Sequence, residues 1–304
     1  MSFGYELKKE LSQIIAKSDS AKATQLYGML LFCDVFSKEE ILLNTEKENV
    51  ITVFCELLSE VIGVLPKLNL AQHGTFKNVI IYSARIIDPG EINKIRKFYR
   101  YDFDAPLRIN EYIDTVSAED MPFFICGAYL SCGNATDPQK NYHIEFVTSS
   151  DEICDDLHIL ISGFIATAKK THRKGRAIVY IKDSEEMEDL VTFMGATQCT
   201  MEIINAKILK DVRNRVNRLT NCDSANLDKT VAASIKQIED IKLVFELAGE
   251  NALDNHLLEL AHLRLENPEA SLSELGKMLT SPLSRSGVNH RLKKISELAE
   301  KLKV

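Results

Sequence analysis

The chain has 304 residues, of which 45% are hydrophobic and 27% are charged, and its formal net charge is −7. A chain of this length exceeds what one hydrophobic core usually fills, so we expect two or three domains. The sequence has no apolar run of about 18 residues, and its start, MSFGYELKKELSQ, lacks the pattern of a secretory signal. We therefore expect a cytoplasmic protein with no membrane partner. The negative net charge argues against nucleic-acid binding by the whole surface but is compatible with binding by a local basic face.

The first two thirds of the chain contain the same order of predicted elements twice, with corresponding elements about 95 to 103 residues apart. Each copy begins with an apolar helix, followed by a strand, a helix with leading acids, a hairpin and a closing helix. The predicted leading helices are 26–33 and 123–133, the strands 41–46 and 143–148, the second helices 48–61 and 151–164, and the returning hairpin strands 79–83 and 177–181. The closing helices open at Asp88 and Asp183.

The two leading helices are apolar nearly all round, which is typical of buried helices. Gly28 and Gly127 occupy matching places in them. A residue without a side chain allows two backbones to approach closely. We therefore predict a pseudo-two-fold domain in which these helices pack together along the axis and each half contributes one β-sheet.

Two basic clusters stand out in this acidic chain. Residues 169–176, KKTHRKGR, contain five Lys or Arg and no acid, and residues 205–219 contain one acid, Asp211. Such cations can neutralise DNA phosphates, although a solvated hairpin or helix face would have the same composition. The candidate DNA-backbone residues are Lys169, Lys170, Arg173, Lys174, Arg176, Lys207, Lys210, Arg213, Arg215 and Arg218.

From about residue 221 the pattern becomes wholly helical, with periodic apolar residues over 229–248 and 254–266. Ser271 and Glu274 have the spacing of a capping box, which opens a short helix that ends near residue 279. After a break at residues 280–283, a longer helix continues to about residue 302.

A short capped helix, a tight break and a longer helix are the parts of a helix-turn-helix, which we place at residues 271–303. The N-terminal part of the second helix in such a module meets base edges in the major groove of DNA. From residue 268 onward there are seven Lys or Arg and four acids, a local excess of positive charge. The alternative is a helical hairpin for protein contact. The candidate DNA-binding residues are Ser284, Arg285, Ser286, Asn289, His290, Arg291, Lys293 and Lys294.

Residues 127–134, GAYLSCGN, resemble the signature helix of the LAGLIDADG homing endonucleases, and residues 28–34 resemble it more weakly. In that family, an acid five residues after the helix glycine binds the catalytic magnesium. Cys33 and Cys132 occupy those places here, and the counterpart of Asp34 is Gly133. A thiol is a poor ligand for a hard cation. We therefore expect no nuclease activity, no catalytic residues, no metal and no cofactor.

The seven cysteines contain no C-x-x-C pair and no nearby histidine at a ligand spacing. Several lie inside apolar runs, as Cys33 does after Leu31 and Phe32. Free thiols in such runs behave as small core residues. We expect reduced, buried cysteines rather than a disulfide framework or a redox site.

The segments 221–230, 268–276 and 284–291, together with 1–3 and 142–145, are similar to the WhiA family of bacterial DNA-binding regulators, and the similarity covers essentially the whole chain. The resemblance implies an α+β fold, in which a pseudo-two-fold, degenerate LAGLIDADG-like domain of αββαββα type precedes an all-α helix-turn-helix domain. We accordingly assign residues 1–204 to the repeat domain, with repeats at about 1–110 and 111–204. Residues 205–220 form a basic linker and residues 221–304 form the helical domain.

The resemblance also implies a function. Members of that family bind double-stranded DNA in a sequence-specific manner as transcriptional regulators at the nucleoid, and they act in cell division and chromosome segregation, or in sporulation in some relatives. A second transcription factor or a cell-division protein is an implied additional partner. The alternative that stays open is a scaffold that binds such a partner through its repeat domain.

Overall fold

The computed structural model describes residues 2–14, 16–73, 79–164 and 167–303. Its contacts divide the chain into two compact units, Met1–Asp211 and Val212–Val304. The first unit combines helices with antiparallel sheets, and the second is wholly helical. The predicted α+β class is therefore confirmed. Among the described residues, no helix combines the length and the apolar character needed to cross a membrane.

The first unit consists of helix α1 (Phe3–Ser12) and two copies of an αββαββα motif, joined by a short 3-10 helix (Glu111–Thr115). The first copy comprises α2 (Asp19–Leu31), β1 (Val35–Phe36), β2 (Ile41–Thr45), α3 (Glu48–Ile62), β3 (Lys67–His73), β4 (Val79–Ile86) and α4 (Pro89–Phe98). The second comprises α5 (Met121–Cys132), β5 (Gly133–Ala135), β6 (Ile144–Val147), α6 (Asp151–Phe164), β7 (Lys169–Arg173), β8 (Arg176–Ile181) and α7 (Ser184–Phe193). The predicted repeat is confirmed.

The two sheets have the same strand order, β1-β2-β4-β3 and β5-β6-β8-β7, and all their pairings are antiparallel. Ile41 pairs with Ile86 in the first sheet, and Ile144 pairs with Ile181 at the same place in the second. Strands β1 and β5 have two and three residues, too few to give an alternating pattern in the sequence.

Local chemistry explains where several elements begin and turn. Asp88 and Asp183 cap α4 and α7, since each carboxylate accepts a hydrogen bond from a backbone N–H of the first helical turn. At the tip of the second hairpin, Lys174 and Gly175 both have positive φ, 53° and 75°, as a two-residue turn of type I′ requires. The tip of the first hairpin lies outside the described residues.

Helices α2 and α5 pack with their backbones in contact. A Cβ added to Gly28 would lie under 3.0 Å from the carbonyl oxygen of Phe124, and one added to Gly127 would lie equally close to that of Gln25. Ser131 strengthens the contact by donating a hydrogen bond to the Met29 carbonyl at 2.9 Å. The predicted pairing of the two helices through matched glycines is confirmed.

We predict that Gly28→Ala and Gly127→Ala each lower the free energy of unfolding of the first unit by about 1–3 kcal/mol, because each new methyl group meets backbone atoms that cannot rotate away. All nine tyrosines precede residue 181 and the chain has no tryptophan, so tyrosine fluorescence during urea unfolding reports on this unit alone. Gly163→Ala in α6 is the control: its Cβ would meet nothing within 4 Å. An equal loss in the control would refute the assigned close contact.

The second unit is built from residues 212–248 of α8 (Thr197–Ala248) and from α9 (Asn255–Glu266), α10 (Leu272–Met278) and α11 (Arg285–Leu302). The amino-acid sequence predicts a linker at residues 205–220 and places the first helical periodicity at residues 229–248. In the structure both segments belong to one 52-residue helix, α8, which is continuous between them. The chain has no glycine or proline from Thr197 to Ala248, so nothing stops the helix before Gly249, whose φ is 72°. The hydrophobic core of the second unit includes Val244, Leu260 and Leu275.

Candidate nucleic-acid interface

The helices α10 and α11 have the geometry of a helix-turn-helix. The Glu274 backbone N–H donates to Ser271 Oγ at 3.3 Å, and the Ser271 backbone N–H donates to Glu274 Oε2 at 2.8 Å. The predicted capping box is therefore present and fixes the start of α10. Ser284 caps α11 by accepting a hydrogen bond from the Gly287 backbone N–H at 3.3 Å.

The turn between the two helices folds back onto α10. The Leu283 backbone N–H donates to the Gly276 carbonyl at 2.9 Å. A Cβ on Gly276 would lie under 3.0 Å from the Leu283 carbonyl oxygen. Only a residue without a side chain lets the turn lie this close, and this contact sets the position from which α11 starts.

We predict that Gly276→Ala destabilises the second unit by about 1–3 kcal/mol, because the turn must move away from α10. In thermal unfolding followed by far-ultraviolet circular dichroism, part of the helical signal should melt earlier while the tyrosine fluorescence transition of the first unit stays in place. Gly287→Ala is the matched control, since its Cβ makes only ordinary contacts of 3.5 Å or more. Identical melting of the two variants would contradict the assigned turn.

Helix α11 has one buried and one exposed face. Val288, Leu292, Ile295 and Ala299 are buried against the rest of the unit. Seven of the eight residues predicted to bind DNA are exposed, and several of them lie on the face opposite the core. The exposed residues are Ser284, Arg285, Ser286, Asn289, His290, Lys293 and Lys294.

Arg291 differs from the other predicted residues. It is half-buried, and its Nη1 donates to the His256 carbonyl in α9 at 3.3 Å. A further contact that the sequence did not reveal lies nearby: Glu259 in α9 accepts hydrogen bonds from the backbone N–H and the hydroxyl of Thr280, both at 2.7 Å. The hydrogen bond from the Thr280 N–H lowers the pKa of Glu259. Arg291 and Glu259 thus tie α9 to the helix-turn-helix.

Two of the five Lys or Arg residues of the basic hairpin form ion pairs with acids of the same unit. Lys170 Nζ lies 2.6 Å from Asp155, and Arg173 Nη2 lies 2.7 Å from the buried Glu145. Burial opposes ionisation of Glu145, but hydrogen bonds from Arg173 and His143 outweigh it and lower its pKa. In the part of the chain that the structure describes, Lys169, Lys174 and Arg176 form no ion pair.

The second basic cluster lies on α8. Lys207 Nζ is 2.9 Å from Glu185 Oε1, and Lys210 Nζ lies 4.0 Å from the centroid of the Tyr142 ring. These two lysines therefore pack against their own unit. Arg213, Arg215 and Arg218 are exposed. These five cations are close together in the sequence, but in the structure the two lysines pack against their own unit and the three arginines are exposed.

The positions that hold metal-binding acids in LAGLIDADG endonucleases carry thiols with a raised pKa. Burial raises the pKa of Cys33 and of Cys132 to about 12.

Lys8 of α1, which the sequence did not single out, donates from Nζ to the Leu130 carbonyl at 2.9 Å, and burial lowers its pKa to about 8. Asp34 Oδ2 accepts a hydrogen bond from the backbone N–H of Asn44 at 2.6 Å. Within the described ranges, no three His, Cys, Asp or Glu side chains are grouped as metal ligands.

We predict that iodoacetamide at pH 8 labels the exposed Cys222 and leaves Cys33 and Cys126 unmodified in the folded protein. Burial raises the pKa of Cys33 and Cys126 to about 12, so the reactive thiolate is only about one part in ten thousand of each. Peptide mapping by mass spectrometry, before and after denaturation in urea, measures the labelling. Labelling of Cys33 in the folded protein at the rate of Cys222 would show that the helix end is open.

Comparison with known proteins supports the two-unit description. The family model described as the WhiA C-terminal HTH domain matches residues 216–299, and the WhiA LAGLIDADG-like domain matches residues 121–213. The crystal structure of full-length WhiA from Thermatoga maritima covers 99% of this chain and 99% of its own, with a TM-score of 0.56 and 22% sequence identity. That likeness shows a shared fold.

Sequence relatives are closer. A probable cell division protein WhiA from Ruminiclostridium cellulolyticum is 36% identical over 312 residues, which cover 100% of this chain and 98% of the relative. The probable cell division protein WhiA from Clostridium beijerinckii is 37% identical over 320 residues, covering 100% of this chain and 99% of the relative. The chain therefore belongs to the WhiA family and carries that family's helix-turn-helix, a class of domain that binds DNA.

Proposed function

We propose that the protein is a sequence-specific transcriptional regulator that binds double-stranded DNA through α11 and acts in cell division and chromosome segregation. The observation that carries this proposal is the exposed polar face of α11, held in place by a capped helix-turn-helix. The names of the relatives support the link to cell division. Such a protein works in the cytoplasm at the nucleoid.

The residues on α11 suit the reading of bases. Arg285 and Asn289 are one turn apart near the start of the helix and both are exposed. Arginine can donate two hydrogen bonds to guanine, and asparagine can pair with adenine through two hydrogen bonds. Lys293 and Lys294 lie further along, where lysines would meet phosphates. Arg291 contributes by holding α9 against α11 through its contact with His256.

In this proposal the repeat unit adds contacts with the DNA backbone. Lys169, Lys174 and Arg176 are the hairpin cations best suited to it, because Lys170 and Arg173 are engaged with acids of their own unit. In the second unit, Arg213, Arg215 and Arg218 of α8 are exposed and would meet further phosphates. Each such contact adds to the salt dependence of binding and carries no base specificity.

Selection of bound sequences from a random DNA library, followed by affinity measurements on the selected site and on a scrambled one, tests the proposal. We predict that Asn289→Ala weakens binding to the selected site about tenfold to 100-fold while hardly changing binding to the scrambled site, because one bidentate base contact is lost. Lys301→Ala, an exposed cation near the end of the same helix, serves as the control. An enriched site that Asn289→Ala binds as well as the unaltered protein does would contradict the assigned reading helix.

A scaffold role is the second candidate, and one observation favours it. Leu68 and Leu70 on edge strand β3 are 59% and 72% exposed. The corresponding places on β7 hold Lys170 and His172, which pair with acids of α6. An exposed apolar edge suits a protein partner such as a transcription factor or a division protein. A chain that acts mainly as a scaffold would keep its cellular role in the Asn289→Ala variant.

A further inference from the structure

A cavity of about 500 Å³ lies within the second unit, beside the first turns of α10 and α11 and against α8. The charged residues that line it are Lys229, Arg264 and Arg285, all cations. Hydroxyl and amide groups, including those of Ser273 and Asn289, supply most of the remaining lining. Among the described residues, no carboxylate lines the cavity.

Arg264 is a buried charge that has no counter-ion among the residues that the structure describes. Its side chain is almost wholly enclosed, with 2% of the residue exposed. Nη1 donates to the Ala270 carbonyl at 2.7 Å, but Nε is buried and finds no hydrogen-bond partner in the described part of the chain. Burial lowers the pKa of Arg264, and no neighbouring acid opposes that effect. A buried cation in this state is costly unless an anion comes to it.

A second buried polar atom on the same cavity also has no hydrogen-bond partner within the described ranges. It is Oε1 of Gln237 in α8. The two ends of a glutamine amide can exchange places, so this group can offer either an acceptor or a donor to whatever occupies the cavity. Unpaired buried groups such as these commonly mark an ion or water that completes the network.

We propose that this cavity binds a phosphate group, held by Lys229 and Arg264, with the base-reading Arg285 lining the same cavity. Phosphate fits better than a carboxylate because its oxygens point in several directions and can accept from cations and hydroxyls on different walls. A DNA backbone phosphodiester and a free phosphate ester share this chemistry. Arg285 and Asn289 line the cavity and also belong to the exposed face of α11, so the geometry favours a DNA phosphate next to the reading helix. The assignment of the phosphate to the DNA backbone rests on the proposed function.

Two variants test the cavity without removing the buried arginine. Lys229→Gln removes an exposed cation from its rim. Ser273→Asp places an acid in the cavity, at the second position of α10, where a carboxylate stabilises a helix. We therefore expect this variant to stay folded, and its Tm in chloride checks this directly. The matched controls are Lys242→Gln, an exposed lysine elsewhere on α8, and Asn251→Asp, which adds the same charge away from the cavity.

The full-length variants are measured in two assays. In the first, the dissociation constant for DNA is followed against salt concentration, and both cavity variants should reduce the slope of log Kd on log salt by about 1, for specific and scrambled DNA alike. In the second, melting is compared in inorganic phosphate and in chloride of equal ionic strength. A phosphate-dependent rise in Tm that the cavity variants lose would identify free phosphate compounds as ligands.

A change in the first assay alone identifies the DNA backbone as the source, and a change in the second alone identifies a free phosphate. Cavity variants that behave like their controls in both assays would overturn the inference and leave the proposed function standing. Failure of the unaltered protein to bind any DNA would overturn the proposed function. The melting assay would still decide whether the cavity takes phosphate.

Discussion

The contact between the backbones of α2 and α5 is the constraint on which the first unit depends. Both helices are buried on nearly every side, so they have to share one interior, and they can do so at this distance only because Gly28 and Gly127 carry no side chain. The two sheets have the same strand order and corresponding registers. Each repeat is therefore placed by the same pair of helices, and each has a cysteine near the end of its leading helix: Cys33 lies two residues after α2, and Cys132 is the last residue of α5.

Because this scaffold brings the ends of the two helices to fixed places, the chemistry there depends on the residues that occupy them. In this chain the occupants are Cys33 and Cys132, with the Lys8 ammonium against the nearby Leu130 carbonyl. Buried thiols and an ammonium group do not attract a hard divalent cation as carboxylates do. The helix pairing of a LAGLIDADG fold can thus persist as packing, separate from the chemistry found at the same place in the endonucleases.

Charge is distributed differently in the two units. In the first, the hairpin residues Lys170 and Arg173 are paired with acids of their own unit, which reduces what they can offer to a polyanion. In the described part of the second unit, the buried Arg264 has no acidic partner, and Arg285 lies exposed on the same cavity. Unpaired cations, rather than the number of cations in a segment, decide where phosphate is attracted.

The repeat, the paired glycines, the capping box at Ser271 and Glu274 and the exposed face of α11 could be predicted from the amino-acid sequence, because each depends on local spacing or on the periodicity of apolar residues. The sequence also predicted that cysteines replace the nuclease acids. Three features could not be predicted in this way, because the partners are distant in the chain: the ion pairs of Lys170 and Arg173, the contact of Arg291 with α9, and the position of Lys8 near the ends of α2 and α5. The cavity around Arg264 likewise joins residues from α8, α9, α10 and α11. A linear pattern records which charges are present, whereas folding decides which of them meet a counter-charge.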